Sequence, residues 1–300
     1  MNSDRRPYLG QLDALLQACV GLPLFASPEG QAFIAIVPFG GPQHAVPIRS
    51  VAFRDFISYR YNHENGMPPS SWNVRRLLRE LESKALHICG IFSPELRHCP
   101  GPDHSLFVDL ADDDNRCVHI TSDGWTTKEA TDRFYFRRAP GAQPLPAPEP
   151  ADPAAPAPTL DPLARLLRLS PENAAKIQSW LLSSLLPSGP YPVLILDGPE
   201  ASGKSTVARI LRSLIDPHAA PFTPHPNTER QVLRQAHANR VLVYDHITHL
   251  SPRVQDALAR VSTGAGYELR ERAVGVPQRT GIPHVGADTP RQHGNHCSIR

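Results

Sequence analysis

Between residues 139 and 162 the chain reads APGAQPLPAPEPADPAAPAPTLDP, nine prolines in 24 residues with no periodic apolar face. Proline fixes φ and removes an amide donor, so this stretch reads as an extended, semi-rigid spacer outside any core. The chain is therefore expected to fold as two units. An α+β domain of unassigned role occupies residues 1–138, and a second core occupies 163–272. The Gly-, Pro- and His-rich remainder, 273–300, is expected to be a disordered tail. A chain of 300 residues is long enough for two such cores.

Composition narrows the function classes by exclusion. Five cysteines, at 19, 89, 99, 117 and 297, are odd in number and irregularly spaced, which favours reduced thiols over a disulfide framework. Residues 193–196 are apolar over a strand's length only, and Asp13 and Gln17 interrupt the apolar N-terminal stretch, so neither a membrane span nor a signal core is read. A cytoplasmic protein with no membrane partner is the expectation. The net charge of +2 is too near balance to argue nucleic-acid binding from bulk electrostatics. Four lysines stand against 27 arginines, so arginine richness reflects compositional bias and a lysine is the more informative residue.

In the first unit, Phe53, Phe56, Ile57 and Tyr61 share one helical face, and Val74, Leu77, Leu78 and Leu81 repeat the spacing. Residues 31–37, 106–110, 117–120 and 134–138 read as strands, the later ones antiparallel around the turns ADDDN and SDG. In the second unit, Ser170–Pro171 opens a helix carrying Ile177, Trp180, Leu181 and Leu185. Residues 191–196 (YPVLIL) read as a buried strand, and Val207, Ile210, Leu211, Leu214 and Ile215 mark the next helix. Thr228 with Gln231 predicts a capping box, residues 241–244 (VLVY) a second buried strand, and Ser251–Pro252 a fourth helix. Apolar strands alternating with helices predict an α/β fold: a P-loop NTPase parallel-sheet core, preceded by the smaller α+β domain.

Residues 198–206, GPEASGKST, fit G-x-x-x-x-G-K-[ST] between the predicted strand and the predicted helix. Gly198 and Gly203 permit the tight turn. The backbone of Pro199, Glu200, Ala201, Ser202 and Thr206 frames a phosphate, and the helix N-terminus adds its positive dipole end. In this pattern Lys204 meets the β and γ phosphates of ATP, and Ser205 ligates Mg²⁺. Asp245, ending the VLVY strand, is the matching carboxylate for Mg²⁺. His246 follows, where a water-positioning acid would serve better, so slow turnover is expected. The His and Cys residues between 89 and 119 lack zinc-type spacing. Arg75, Arg76 and Arg79, and Arg137 with Arg138, read as solvated faces before they read as nucleic-acid patches.

Taken in order, LLPSGPYPVLILDGPEASGKST, the LIDP at 214–217, VLVYDH and DALARVSTGAGYELR resemble ATP-binding proteins of phages and mobile elements related to superfamily 3 primase-helicases of the AAA+ class. Thr263, Gly264, Gly266 and Arg270 match that family's pattern after the acidic strand end. Gly124 and Trp125 before an FxFRR-like strand resemble its leading domain. The resemblance implies ATP and Mg²⁺, single-stranded DNA, and a homo-oligomer or replication partner. Two departures stand out. His246 replaces an acidic residue or asparagine, and after Arg272 no polar sensor strand or arginine finger follows, so the AAA+ core is expected to be incomplete. A nucleoside-monophosphate-type kinase and a non-hydrolysing assembly module remain as alternatives.

Overall fold

The computed structural model describes residues 6–38, 43–129, 136–150, 159–264 and 297–298. The first unit opens with α1 (Arg6–Gln17), then strands β1 (Pro23–Ala26), β2 (Ala32–Ile36) and β3 (His44–Pro47). These pair antiparallel in sequence order. Strand side chains alternate between faces, and here both faces are covered. Leu24, Ile34, Ile36 and Val46 join the core with α1, α2 (Val51–Asn65) and α3 (Ser71–His87). Phe25, Phe33, Ala35 and Ala45 form the opposite cluster, where the rings of Phe25 and Phe33 stack with centroids 5.6 Å apart.

Helices α2 and α3 bury the faces read from their periodicity: Phe53, Phe56, Ile57 and Tyr61 on one, Val74, Leu77, Leu78 and Leu81 on the other. Each starts at a serine, Ser50 or Ser70, whose hydroxyl accepts from the backbone N–H three residues on. The rest of the unit contains β4 (Glu95–Leu96), β5 (His98–Pro100), β6 (Leu106–Asp109), β7 (Arg116–Thr121), β8 (Gly124–Glu129) and β9 (Phe136–Arg137). Strands β5 to β8 form an antiparallel sheet in chain order. The strand predicted over 134–138 is shorter in the described residues and pairs parallel with β4, not antiparallel within that sheet.

In the second unit, α4 (Asp161–Leu166), a helix not predicted, starts inside the stretch read as spacer; α5 (Pro171–Leu185), α6 (Lys204–Ile215), α7 (Glu229–Ala238) and α8 (Pro252–Thr263) then follow the predicted order. Ile177 and Leu181 of α5 pack on Leu211 and Ile215 of α6, with Val241 closing the cluster. The capping box of α7 forms as read, Thr228 accepting from Gln231 N–H and the Gln231 side chain accepting from Thr228 N–H.

The expected parallel sheet is not present among the described residues. Neither residues 191–196 nor residues 241–244 form a strand, and the two segments do not pair with each other. A strand needs a neighbour to take its backbone donors and acceptors. Here a cavity of about 1210 Å³ lies between the two segments, and Val193 and Ile195 are 66% and 81% exposed. Thr223 bonds the second segment, donating its N–H to Val243 O and accepting from Val243 N–H at its hydroxyl, and Ser262 bonds the start of the first, accepting from Tyr191 N–H and donating its hydroxyl to Tyr191 O.

The spacer also departs from expectation at its start. Ala142 bridges His218, Gln143 N–H donates to Pro217 O, and Leu145 N–H donates to Leu110 O, so residues 140–145 lie in the junction between the units. Residues 151–158 lie outside the described set. Of the tail, Cys297–Ser298 forms β10, which pairs antiparallel with β1; residues 273–296 lie outside the described residues.

Candidate functional site

The loop before α6 adopts the shape that its glycines allow. Gly198 has φ +152° and Gly203 φ +87°, conformations costly for a residue with a Cβ. Gly203 caps α6 with no side-chain hydrogen bond, which leaves the first-turn N–H groups of Lys204, Ser205 and Thr206 facing out of the helix end. Ser202 N–H donates to Pro199 O, tightening the turn through Glu200 and Ala201. Lys204 folds back over this turn, its Nζ donating to Gly198 O at 2.8 Å and Pro199 O at 2.6 Å. An ammonium and a bare helix N-terminus thus converge on one concavity, and both attract anions.

Ser205 and Asp245, forty residues apart, meet here. The Ser205 hydroxyl donates to Asp245 Oδ1 at 3.0 Å, and the same oxygen accepts from His246 N–H at 3.0 Å. A hydroxyl and a carboxylate beside an anion-binding helix end form an oxygen donor set suited to Mg²⁺, which is held by few protein ligands and completed by phosphate and water. Among the described residues no group of three or more His, Cys, Asp or Glu side chains could hold a metal without such help. His246 is different. Its side chain is 92% exposed, its φ is +54°, and its Nε2 lies 3.7 Å from Asp245 Oδ2. It reaches the carboxylate and lines the same cavity as the loop.

The cavity running from this loop between residues 191–196 and 241–245 ends against the first unit, and that end was not legible in the sequence. Glu95, Arg137, His237 and Arg240 line it. Burial holds the Glu95 carboxyl above its ordinary range, and burial with the neighbouring Arg137 charge lowers His237 to about 4. Arg137 Nη1 donates to His237 Nε2 at 2.7 Å, and its Nε donates to Pro94 O. Arg138 forms a buried pair with Asp109 at 2.5 Å. Read as a solvated end of a strand, Arg137 and Arg138 are instead interior groups that join elements. Arg76 lies over the Trp72 ring at 4.9 Å on the outer face of α3.

Residues 160–274 match the family model of the Actinomycete integrative conjugative element replication protein. The matched stretch contains α4 to α8, the phosphate-type loop, Ser205 and Asp245. No curated protein and no solved structure matches the chain. The first unit lies outside the matched residues. Among the described residues, no helix is long and apolar enough to cross a membrane.

Proposed function

We propose that the second unit binds ATP with Mg²⁺ and serves a mobile-element replication protein. The single observation that carries this reading is the Ser205–Asp245 contact of 3.0 Å at the uncapped N-terminus of α6. A serine that merely started a helix would need no carboxylate at that point. The family match over residues 160–274 fits a replication-related role. Backbone N–H groups of residues 203–206 would hold phosphate oxygens. Lys204, released from Gly198 O and Pro199 O, would supply a point charge to the β and γ phosphates. When bound, Mg²⁺ neutralises charge on the phosphate oxygens.

His246 supports slow hydrolysis, because an imidazole is a poorer match than a carboxylate for positioning water and this one stands 92% exposed. The same observation favours a second reading, a nucleotide-dependent module that binds without turnover. A kinase of nucleoside monophosphates has no such support. Single-stranded DNA and a second copy of the chain are the partners this reading proposes.

The test is thermal unfolding with and without ATP and Mg²⁺. A ligand that binds only the folded state raises stability by about 2.7 kcal/mol at a hundred times its Kd. Lys204→Ala is expected to remove that gain while its ligand-free midpoint stays near the parent's. Equal stabilisation of the two, or none in the parent, overturns the proposal. ATP hydrolysis followed with and without single-stranded DNA then separates the slow ATPase from the silent module.

A further inference from the structure

Asp216 lies at the far end of α6 from the phosphate-type loop, yet it joins both walls of the site to the first unit. Its N–H donates to Arg212 O at 2.8 Å, making it the C-cap of the helix that begins at Lys204. Its Oδ2 accepts from Arg240 N–H at 3.1 Å and Val241 N–H at 3.4 Å, where the segment that ends at Asp245 begins. Its Oδ1 accepts from Arg97 Nε at 3.3 Å. The Arg97 side chain is 4% exposed and also donates to the carbonyls of Asp109 and Gln143, so it is a buried cation of the first unit whose counter-charge comes from the second.

A closed frame results. One side is α6, about 18 Å long at 1.5 Å per residue. The opposite side is the chain from Arg240 to Asp245. Ser205 and Asp245 close one end, and Asp216 with the backbone of Arg240 and Val241 closes the other. Residues 241–244 belong to no strand, so no ladder sets where Asp245 comes to rest along α6. Thr223 holds the segment in its middle, Tyr244 Oη donates to Gln235 Oε1 at 2.7 Å, and the Arg240 side chain donates to Ser184 O and Leu186 O; the two carboxylate contacts are what tie its ends to α6. Arg212 strengthens the lower one, donating to Asn239 Oδ1 at 3.1 Å just before the segment starts.

We infer that Asp216 is a positioning residue: it places Asp245 opposite Ser205, and through Arg97 it couples the first unit to that pair. This deepens the nucleotide reading and rests on it for its Mg²⁺ part. Removing Asp216 alone would strand Arg97 as an unpaired buried charge and endanger folding. The informative comparison is therefore between Arg97→Met/Asp216→Ala and Arg97→Met/Asp216→Asn in the full chain. The two differ in whether residue 216 has an acceptor for the amides of Arg240 and Val241.

Two readouts are taken. The first is amide hydrogen exchange over residues 240–245 in nucleotide-free protein. The second is the factor by which Mg²⁺ tightens ATP binding relative to EDTA. Groups that hold a metal ligand typically change affinity 10–100-fold when removed, so the alanine variant is expected to lose about tenfold of the Mg²⁺ factor and to exchange faster at 240–245. The asparagine variant is expected to retain both. Arg97→Met alone is expected to abolish any slowing of exchange in β5 and β6 that ATP produces in the parent. Alanine and asparagine variants that behave alike, or ATP-dependent protection of β5 and β6 that survives Arg97→Met, would overturn the inference. A parent that binds no ATP overturns the nucleotide reading instead, and the nucleotide-free exchange still decides the positioning role.

Discussion

Only a neutral His237 can accept at Nε2 the hydrogen bond that Arg137 donates. Its pKa is lowered from 6.5 to about 4, so the unfolded chain binds a proton there between pH 6.5 and 4 while the folded chain does not. Stability therefore falls as pH drops through that window, by at most about 3 kcal/mol from this group, and levels off below 4. His98 pulls in the same direction, its pKa held well below the ordinary value by burial and by Arg240 and Arg97. Glu95, raised by burial, works oppositely above its ordinary range. Urea midpoints between pH 7 and pH 4 should fall less steeply in His237→Gln than in the parent. Identical slopes would contradict the buried neutral imidazole. At this scale, Lys204, Ser205 and Asp245 were legible because one short motif and one strand end carry them. The roles of Arg97, Asp216 and His237 were not, although Asp216 stands in the LIDP run, since their partners lie 119 and 100 residues away and no local pattern marks such pairs.

Helices and strands were not equally readable. A helix satisfies its backbone inside its own segment, so caps and apolar spacing suffice to define it, and α2, α3, α5, α6, α7 and α8 lie where those signals put them. A strand depends on a neighbour. Residues 191–196 and 241–244 have the apolar composition of buried strands but no partner strand among the described residues. Helix α1 was missed because its interrupting Asp13 and Gln17 were read only as arguments against an export signal. The helical signals can be tested directly. Thr228→Ala removes the α7 cap and should cost about 1 kcal/mol in chemical unfolding. Leu211→Ala, in the contact of α5 with α6, should cost about 2–5 kcal/mol because Leu211 is 2% exposed. A smaller loss at Leu211 than at Thr228 would mean that the second core is not packed as described.

As a whole molecule, the protein joins an α+β unit whose sheets are mostly antiparallel to a helical unit bearing the phosphate-type loop, through a junction of buried charge. In P-loop NTPases an arginine finger contributes about 10³–10⁵ in rate, so if the proposed nucleotide reading holds, His246→Glu alone is expected to leave ATP hydrolysis slow. Rapid turnover by the single variant, followed by phosphate release, would show that the chain already holds every other group it needs. The open course of residues 193–196 has a different consequence, one for colloidal behaviour. Val-Leu-Ile-Leu is a β-prone, uncharged run, but at four residues between Pro192 and Asp197 it is too short for a cross-β zipper, so its exposed side chains favour association between folded copies instead of fibres. Concentrated protein should accordingly self-associate reversibly, read as light scattering that rises with concentration and falls on dilution. Ile195→Lys, a charge placed where the side chain is already 81% exposed, should suppress that rise with little effect on the folded chain.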